Sequence, residues 1–234
     1  MNRLAACATI LPALLLLALE ARATIIGGAL TGGTALTAGG TFVKLTPPLS
    51  NPFGPPNSVG NDTFQSPNLF GFDETQNVSI GPGGLSADVI AGGGSGTIPE
   101  GTQVSSHYVF FDPGPSQSQL GHVNFDADIL AVMTSVGTLS ASDFLAAAGV
   151  NYLSPSLRGL EAGDSAIIDP ANPSQLDLSW VAGSPGDYVR VLTANSPVAA
   201  APDAASTLLL LGCGIAIVGG LRCALLGFPG KCRG

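Results

Sequence analysis

TQVSSHYVFF, Thr102 to Phe111, is the stretch on which the fold turns. Strict alternation places Val104, Ser106, Tyr108 and Phe110 on one face of a strand. Ser105, His107, Val109 and Phe111 fall on the other. The run Asp112-Pro113-Gly114-Pro115 then removes backbone donors and forces a turn, so the strand ends there. A strand of this kind needs partners on both sides, and the chain on either side of it is read for them.

Downstream, Gly121–Phe125 and Asp128–Thr134 read as two strands separated or bulged at Asp126-Ala127. Ser140–Ala148 reads as one short helix, with Ser140 as its cap and Asp143 in its first turn. Ser165–Ile168 is brief. Gln175–Val181 points Leu176, Leu178 and Trp180 inward, and Asp187–Thr193 sets Val189 and Val191 on the face opposite Arg190. Upstream, Thr41–Leu45 is a short strand, and Leu69–Ile80 holds one or two more, interrupted at Asp73-Glu74. The proline-rich segment 46–67 excludes a helix or a central strand and reads as an extended surface loop. Residues 24–40, small and poor in charge, read as a flexible leader or a first weak strand. Turn residues recur about every 10 to 15 positions, the punctuation of an antiparallel sandwich. The expectation is all-β: one antiparallel β-sandwich, jelly-roll-like, over residues 41–200. No fixed internal period supports a solenoid or propeller.

Residues 1–23 read as a secretory signal: Arg3, an apolar core from Ala8 to Leu19, and the small-x-small site Ala21-Arg22-Ala23. In the segment between the ends, the 16 acidic residues less Glu20 and Asp203 leave 14, against Lys44, Arg158 and Arg190, a net charge of −11. A surface that acidic repels nucleic acid and anionic lipid. The four cysteines, Cys7, Cys213, Cys223 and Cys232, all lie outside that segment. Its stability must therefore come from a packed core, without disulfides or thiolate chemistry.

Motifs for chemistry are sparse. The glycine-rich run Gly81–Gly96 lacks the lysine of a phosphate-cradling loop. Gly94-Ser95-Gly96 is no nucleophile elbow, and only His107 and His122 are available as bases, able to face each other if their strands pair. The better lead is the carboxylates. Asp112 ends one strand while Asp126 and Asp128 flank the next break, three oxygen donors suited to calcium if those strands are neighbours. Glu161 and Asp164 read as local partners of Arg158. Trp180 reads as core, and Tyr152, in a loop, as the most accessible aromatic for a sugar.

Thr207 to Leu226 spans 20 residues with one charge, Arg222, the length of a transmembrane helix. Arg222, Lys231 and Arg233 are the only charges after Asp203, which predicts a cytoplasmic tail and an external main domain. The order Pro202-Asp203-Ala204-Ala205-Ser206-Thr207-Leu208, then apolar helix, then basic tail resembles the PEP-CTERM class of bacterial sorting signals, in its Val-Pro-Asp-x-x-Ser-Thr variant. Ala201 stands where that variant has Val, and the basic tail is sparse. GTQVSSHYVFFDP, GHVNFDADILAVMTS, LRGLEAGDS and LSWVAGSPGDYVRVLT are in turn similar to the exported domains of many such proteins. The resemblance implies anchoring in the inner membrane, recognition of Pro202, Asp203, Ser206 and Thr207 by an exosortase-type transpeptidase, and release to the cell surface or matrix. The expected role is structural or adhesive, in an exopolysaccharide matrix or biofilm. The alternatives are a calcium-assisted carbohydrate-binding module and, with less in its favour, a polysaccharide hydrolase.

Overall fold

The computed structural model describes residues 23–195. The signal peptide, the sorting motif, the membrane segment 207–226 and the basic tail lie outside the described residues, Ala23 at the end of the signal excepted. Fifteen strands follow in order: β1 (Ile25–Gly32), β2 (Phe42–Lys44), β3 (Ser58–Val59), β4 (Leu69–Asp73), β5 (Val78–Ser79), β6 (Leu85–Ala87), β7 (Val89–Ile90) and β8 (Gly96–Ile98). Then come β9 (Gln103–Phe111), β10 (Gln117–Phe125), β11 (Ile129–Met133), β12 (Asn151–Tyr152), β13 (Ser165–Ile168), β14 (Gln175–Ala182) and β15 (Asp187–Ala194). Two short helices, α1 (Gly33–Thr37) and α2 (Val136–Ala141), interrupt them. The fold is all-β. Among the described residues no helix is long and apolar enough to cross a membrane.

A four-stranded sheet runs β1-β10-β14-β13, and a larger one runs β2-β4-β9-β15-β11-β7, with β5 also paired to β9. The TQVSSHYVFF strand lies inside the larger sheet, antiparallel to β15 on one side and to β4 on the other. Its His107 face, with Val109 and Phe111, packs on Val123, Phe125, Leu176 and Trp180 of the smaller sheet. Trp180 stacks on Phe111 at 6.3 Å between ring centroids and donates its indole N–H to Gln119 Oε1 at 2.9 Å.

The other face of β9 is buried too, because a third layer of loops, the β6/β8 hairpin and α2 covers it. Tyr108 and Phe110 join Phe64, Phe70 and Phe72 in a second core, with Phe64, Phe70 and Phe110 rings 4.7 to 5.1 Å apart. Burying a Phe or Leu side chain is worth about 1.5–3 kcal/mol. Two cores back to back on one sheet explain why β9 and β15 are buried on both faces.

Two expectations need correction. The leader expected over 24–40 is a full strand followed by a helical turn, with β1 paired to β10 from Ile25↔Phe125 to Gly32↔Leu120. Its glycines are the reason: a Cβ at Gly28 would lie 2.7 Å from the His122 carbonyl oxygen and 2.8 Å from the Phe42 ring. Only glycine lets β1 approach so closely, so the domain starts before residue 41. The helix expected over Ser140–Ala148 sits earlier, at α2, capped by Ser135, whose hydroxyl accepts the Thr138 N–H. Asp88 reinforces that start, its Oδ2 accepting the N–H groups of Thr134 at 2.6 Å and Ser135 at 2.8 Å. Asp143 falls in a separate 3₁₀ turn.

Candidate functional site

The end of β4 carries Asp73 and Glu74, the pair that interrupts the strand pattern, and each organises a polar network. Asp73 Oδ1 accepts the Ile25 N–H at 2.9 Å and lies 2.8 Å from His107 Nδ1. Asp73 Oδ2 accepts the Thr24 hydroxyl at 2.6 Å and pairs with Lys44 Nζ at 2.8 Å. Lys44 Nζ also donates to Thr24 Oγ1 and to the Ile25 carbonyl. Burial works to raise the Asp73 carboxyl, but the bonds from His107, Lys44 and Thr24 outweigh it and hold it far below the usual carboxylate range. His107 Nε2 lies 3.0 Å from Thr193 Oγ1, which completes a line Asp73–His107–Thr193.

That line has the order of an acid, a base and a hydroxyl nucleophile. Its base and its hydroxyl are closed off from solvent. His107 and Thr193 are both fully buried, and the His107 ring packs at 4.9 Å on Phe125. The neighbouring cleft of about 320 Å³ is lined by Thr24, Lys44, Asp73 and Glu74, and neither His107 nor Thr193 reaches it. The network ties β1, β2, β4, β9 and β15 together.

Glu74 faces the opposite way. Its Oε2 accepts Arg190 Nε at 2.6 Å and the Ser106 hydroxyl at 2.6 Å; its Oε1 accepts Arg190 Nη2 at 3.0 Å and the Tyr152 hydroxyl. Arg190 Nη1 reaches the Leu139 carbonyl, Ser142 Oγ and Asp143 Oδ1 at 3.1, 2.8 and 3.2 Å. Both side chains of the Glu74–Arg190 pair are fully buried. Burial works against the Arg190 charge, yet Glu74 more than compensates and raises its pKa. Asp143 also holds Arg158 through two 2.8 Å bonds. Arg158 therefore pairs with Asp143, whereas Glu161 and Asp164 were its expected partners. Asp164 instead accepts the N–H groups of Glu161 and Val181.

The other expected site residues are dispersed. Asp112 is fully buried at the β9 end that pairs with Asp187; Asp126 and Asp128 lie at the opposite end, beside Thr24 and Ala194. About seven residues of strand at roughly 3.3 Å each separate the two ends. The three-aspartate calcium site is therefore not assembled, because β9 and β10 belong to different sheets and run antiparallel. Among the described residues no group of three or more His, Cys, Asp and Glu side chains is placed to hold a metal ion. His107 and His122 do not face each other: His107 points between the sheets, and His122 is partly exposed beside Ala29 and Asp177. Tyr152 is bonded to Glu74 and lies 5.9 Å from Arg190, not free in a loop. Trp180 is in the core, as its alternation implied.

The end of the domain around Asp112 holds carboxylates that have no Lys or Arg partner among the described residues. Burial first, and then the charge of Asp62, push the Asp112 carboxyl up to about 6, against lowering bonds from the Phe64 N–H and from Thr63. Burial, with Asp164 and Glu161 nearby, pushes Asp187 up to about 7. Set against known proteins, the chain matches no family model, no curated protein and no solved structure.

Proposed function

We propose that this chain is an exported bacterial surface or matrix protein whose all-β domain, a jelly-roll-like sandwich, serves a structural or adhesive role. Its amino-terminal signal directs export, and its carboxy-terminal segment delivers it through the inner membrane to an exosortase-type transpeptidase. The exopolysaccharide matrix is its working environment. The observation that supports this reading is the join between the signal and the domain. Cleavage after Ala23 leaves Thr24 as the new terminus, and β1 begins one residue later. The Thr24 nitrogen already donates to Asp126 Oδ1 at 2.7 Å, and its hydroxyl to Asp73. An ammonium formed there gains a carboxylate partner and loses no strand residue, so the cut site and the fold boundary agree.

A hydrolase finds no support in the one acid–base–hydroxyl line described, which is sealed in the core. A glycan-binding face built on Trp180 or Tyr152 is opposed by the engagement of both side chains inside the domain. The test is intact-mass and terminal sequencing of the protein recovered from the surface of its producing cells. A mature chain that begins at Thr24 and ends near Pro202 is the expected result. A surface form that still carries Gly234 refutes the sorting reading, and one that retains Met1 refutes the export signal.

A further inference from the structure

We infer that the chain binds a hard divalent cation, calcium being the chemical match, between the loop Gly60–Gln65 and the end of β9, at Asp62, Asp112 and Thr63. Three side-chain oxygens are buried there without a hydrogen-bond partner: Asp62 Oδ1, Asp112 Oδ1 and Thr63 Oγ1. Asp112 is 0 % exposed and Thr63 1 %. The remaining atoms of these residues are committed and hold the group in place. Asp112 Oδ2 accepts the Phe64 N–H at 3.0 Å, its main-chain oxygen accepts the Ser66 N–H at 2.9 Å, and Asp62 Oδ2 accepts the Ser184 hydroxyl at 2.6 Å. The Thr63 N–H and hydroxyl both bear on the Asp112 carboxylate and favour its charged form, while the hydroxyl oxygen stays without a fully formed partner.

Two carboxylates that feel each other's charge therefore present bare oxygens in a site shielded from water. Native structures rarely leave such atoms unsatisfied unless something absent from the polypeptide completes them. No side-chain cation of the described residues is available. Their only Lys and Arg are Lys44, Arg158 and Arg190, and these are bound to Asp73, Asp143 and Glu74. The donors are all oxygen, two of them anionic, which selects a hard cation over zinc or copper. With only two carboxylates, main-chain oxygens and water must fill the remaining positions, as calcium's flexible coordination permits. The site does not depend on the export reading.

The test is terbium titration of the full-length chain purified in detergent, with emission sensitised by Tyr188, which lies close enough to feel the Asp112 and Asp62 charges. The expected result is saturable emission displaced by calcium. It falls about tenfold or more in Asp62→Asn and in Asp112→Asn, because affinity follows the number of charged ligands, and it is unchanged in Asp126→Asn and Asp128→Asn. Circular dichroism establishes that each variant is folded. If Asp112→Asn does not fold, Asp62→Asn, in a partly exposed loop, decides alone. Absence of emission together with no calcium-dependent rise in the melting temperature of the folded wild type overturns the site, as does emission that persists in Asp62→Asn.

Discussion

Replacing Glu74 by Leu strands the Arg190 guanidinium inside the protein, and the loss is large enough to measure directly. Arg190 keeps its Nη1 bonds to Leu139, Ser142 and Asp143 but loses both bonds to the carboxylate. Breaking one partner of a buried ion pair costs about 3–5 kcal/mol, since a desolvated charge loses its close counter-ion, and the half-exposed Asp143 at 3.2 Å offsets only part of that. The hydroxyls of Ser106 and Tyr152 lose their acceptor as well, about 1 kcal/mol each. A domain of this size is stable by roughly 5–15 kcal/mol, so a combined loss of about 5–7 kcal/mol removes at least a third of that, and more than half of a mid-range value. Arg190→Met, which strands the carboxylate, is expected to cost a similar amount.

The double variant separates the pair from its surroundings. With both charges gone there is no buried ion, and the combined cost should fall below the sum of the single costs by about 3 kcal/mol. Urea unfolding followed through Trp180, the only tryptophan and part of the other core, supplies all three stabilities. Single losses under about 1 kcal/mol, with a coupling near zero, refute the claim that this pair organises the core on its side of the sheet.

Three further outcomes are expected. Asp187 is buried, and its carboxyl is pushed from 3.8 to about 7, so the fold favours the neutral acid by up to about 4 kcal/mol. That stability is complete below about pH 4 and is lost as pH rises toward 7; Asp187→Asn should therefore raise the melting temperature at pH 8 and leave it unchanged at pH 4, and an equal effect at both pH values contradicts the assignment. Gly33 has φ +88°, and a Cβ there would lie 2.3 Å from the Ser118 carbonyl oxygen. Gly33→Ala should destabilise by more than the roughly 1 kcal/mol of left-handed strain alone, read by thermal melting against Gly39→Ala, whose φ is similar and whose surroundings are open. Asp88→Ala removes the acceptor for Thr134, Ser135 and Thr138 at the start of α2 and should cost about 1–2 kcal/mol in the same assay, whereas a change within experimental error would show that Ser135 alone caps the helix.

Strand identity was legible because it rests on local alternation. Leu176, Leu178 and Trp180 face inward as the pattern requires, and Asp187-Tyr188-Val189-Arg190 continues a strand. The Gly-rich β1 was less legible, because small residues carry little hydrophobic signal even where close approach demands them. The third layer was not legible at all. Alternation in β15 places Arg190 opposite Val189 and Val191, which reads equally as solvent or as a second core. Its partner Glu74 lies 116 positions away, and nothing local to either residue announces the other.

Composition carries one signal that becomes decisive only once the ion pairs are placed. The described residues offer three side-chain cations to 14 carboxylates, and each cation is already paired: Lys44 with Asp73, Arg158 with Asp143, Arg190 with Glu74. Every other carboxylate must stay in water, accept main-chain N–H groups or neutral side-chain donors, take up a proton or meet a metal ion. Asp88 and Asp164 take the second course, at the α2 start and at Glu161 and Val181. Asp187 takes the third, with its carboxyl near 7. Asp112 and Asp62 have part of their oxygens bonded and part bare, so for them a proton or a metal ion remains. A lone proton satisfies one of the two bare carboxylate oxygens; a divalent cation satisfies both and the Thr63 hydroxyl with them. The scarcity of lysine and arginine is thus what makes the Asp112 end of the domain the place to look for a bound ion.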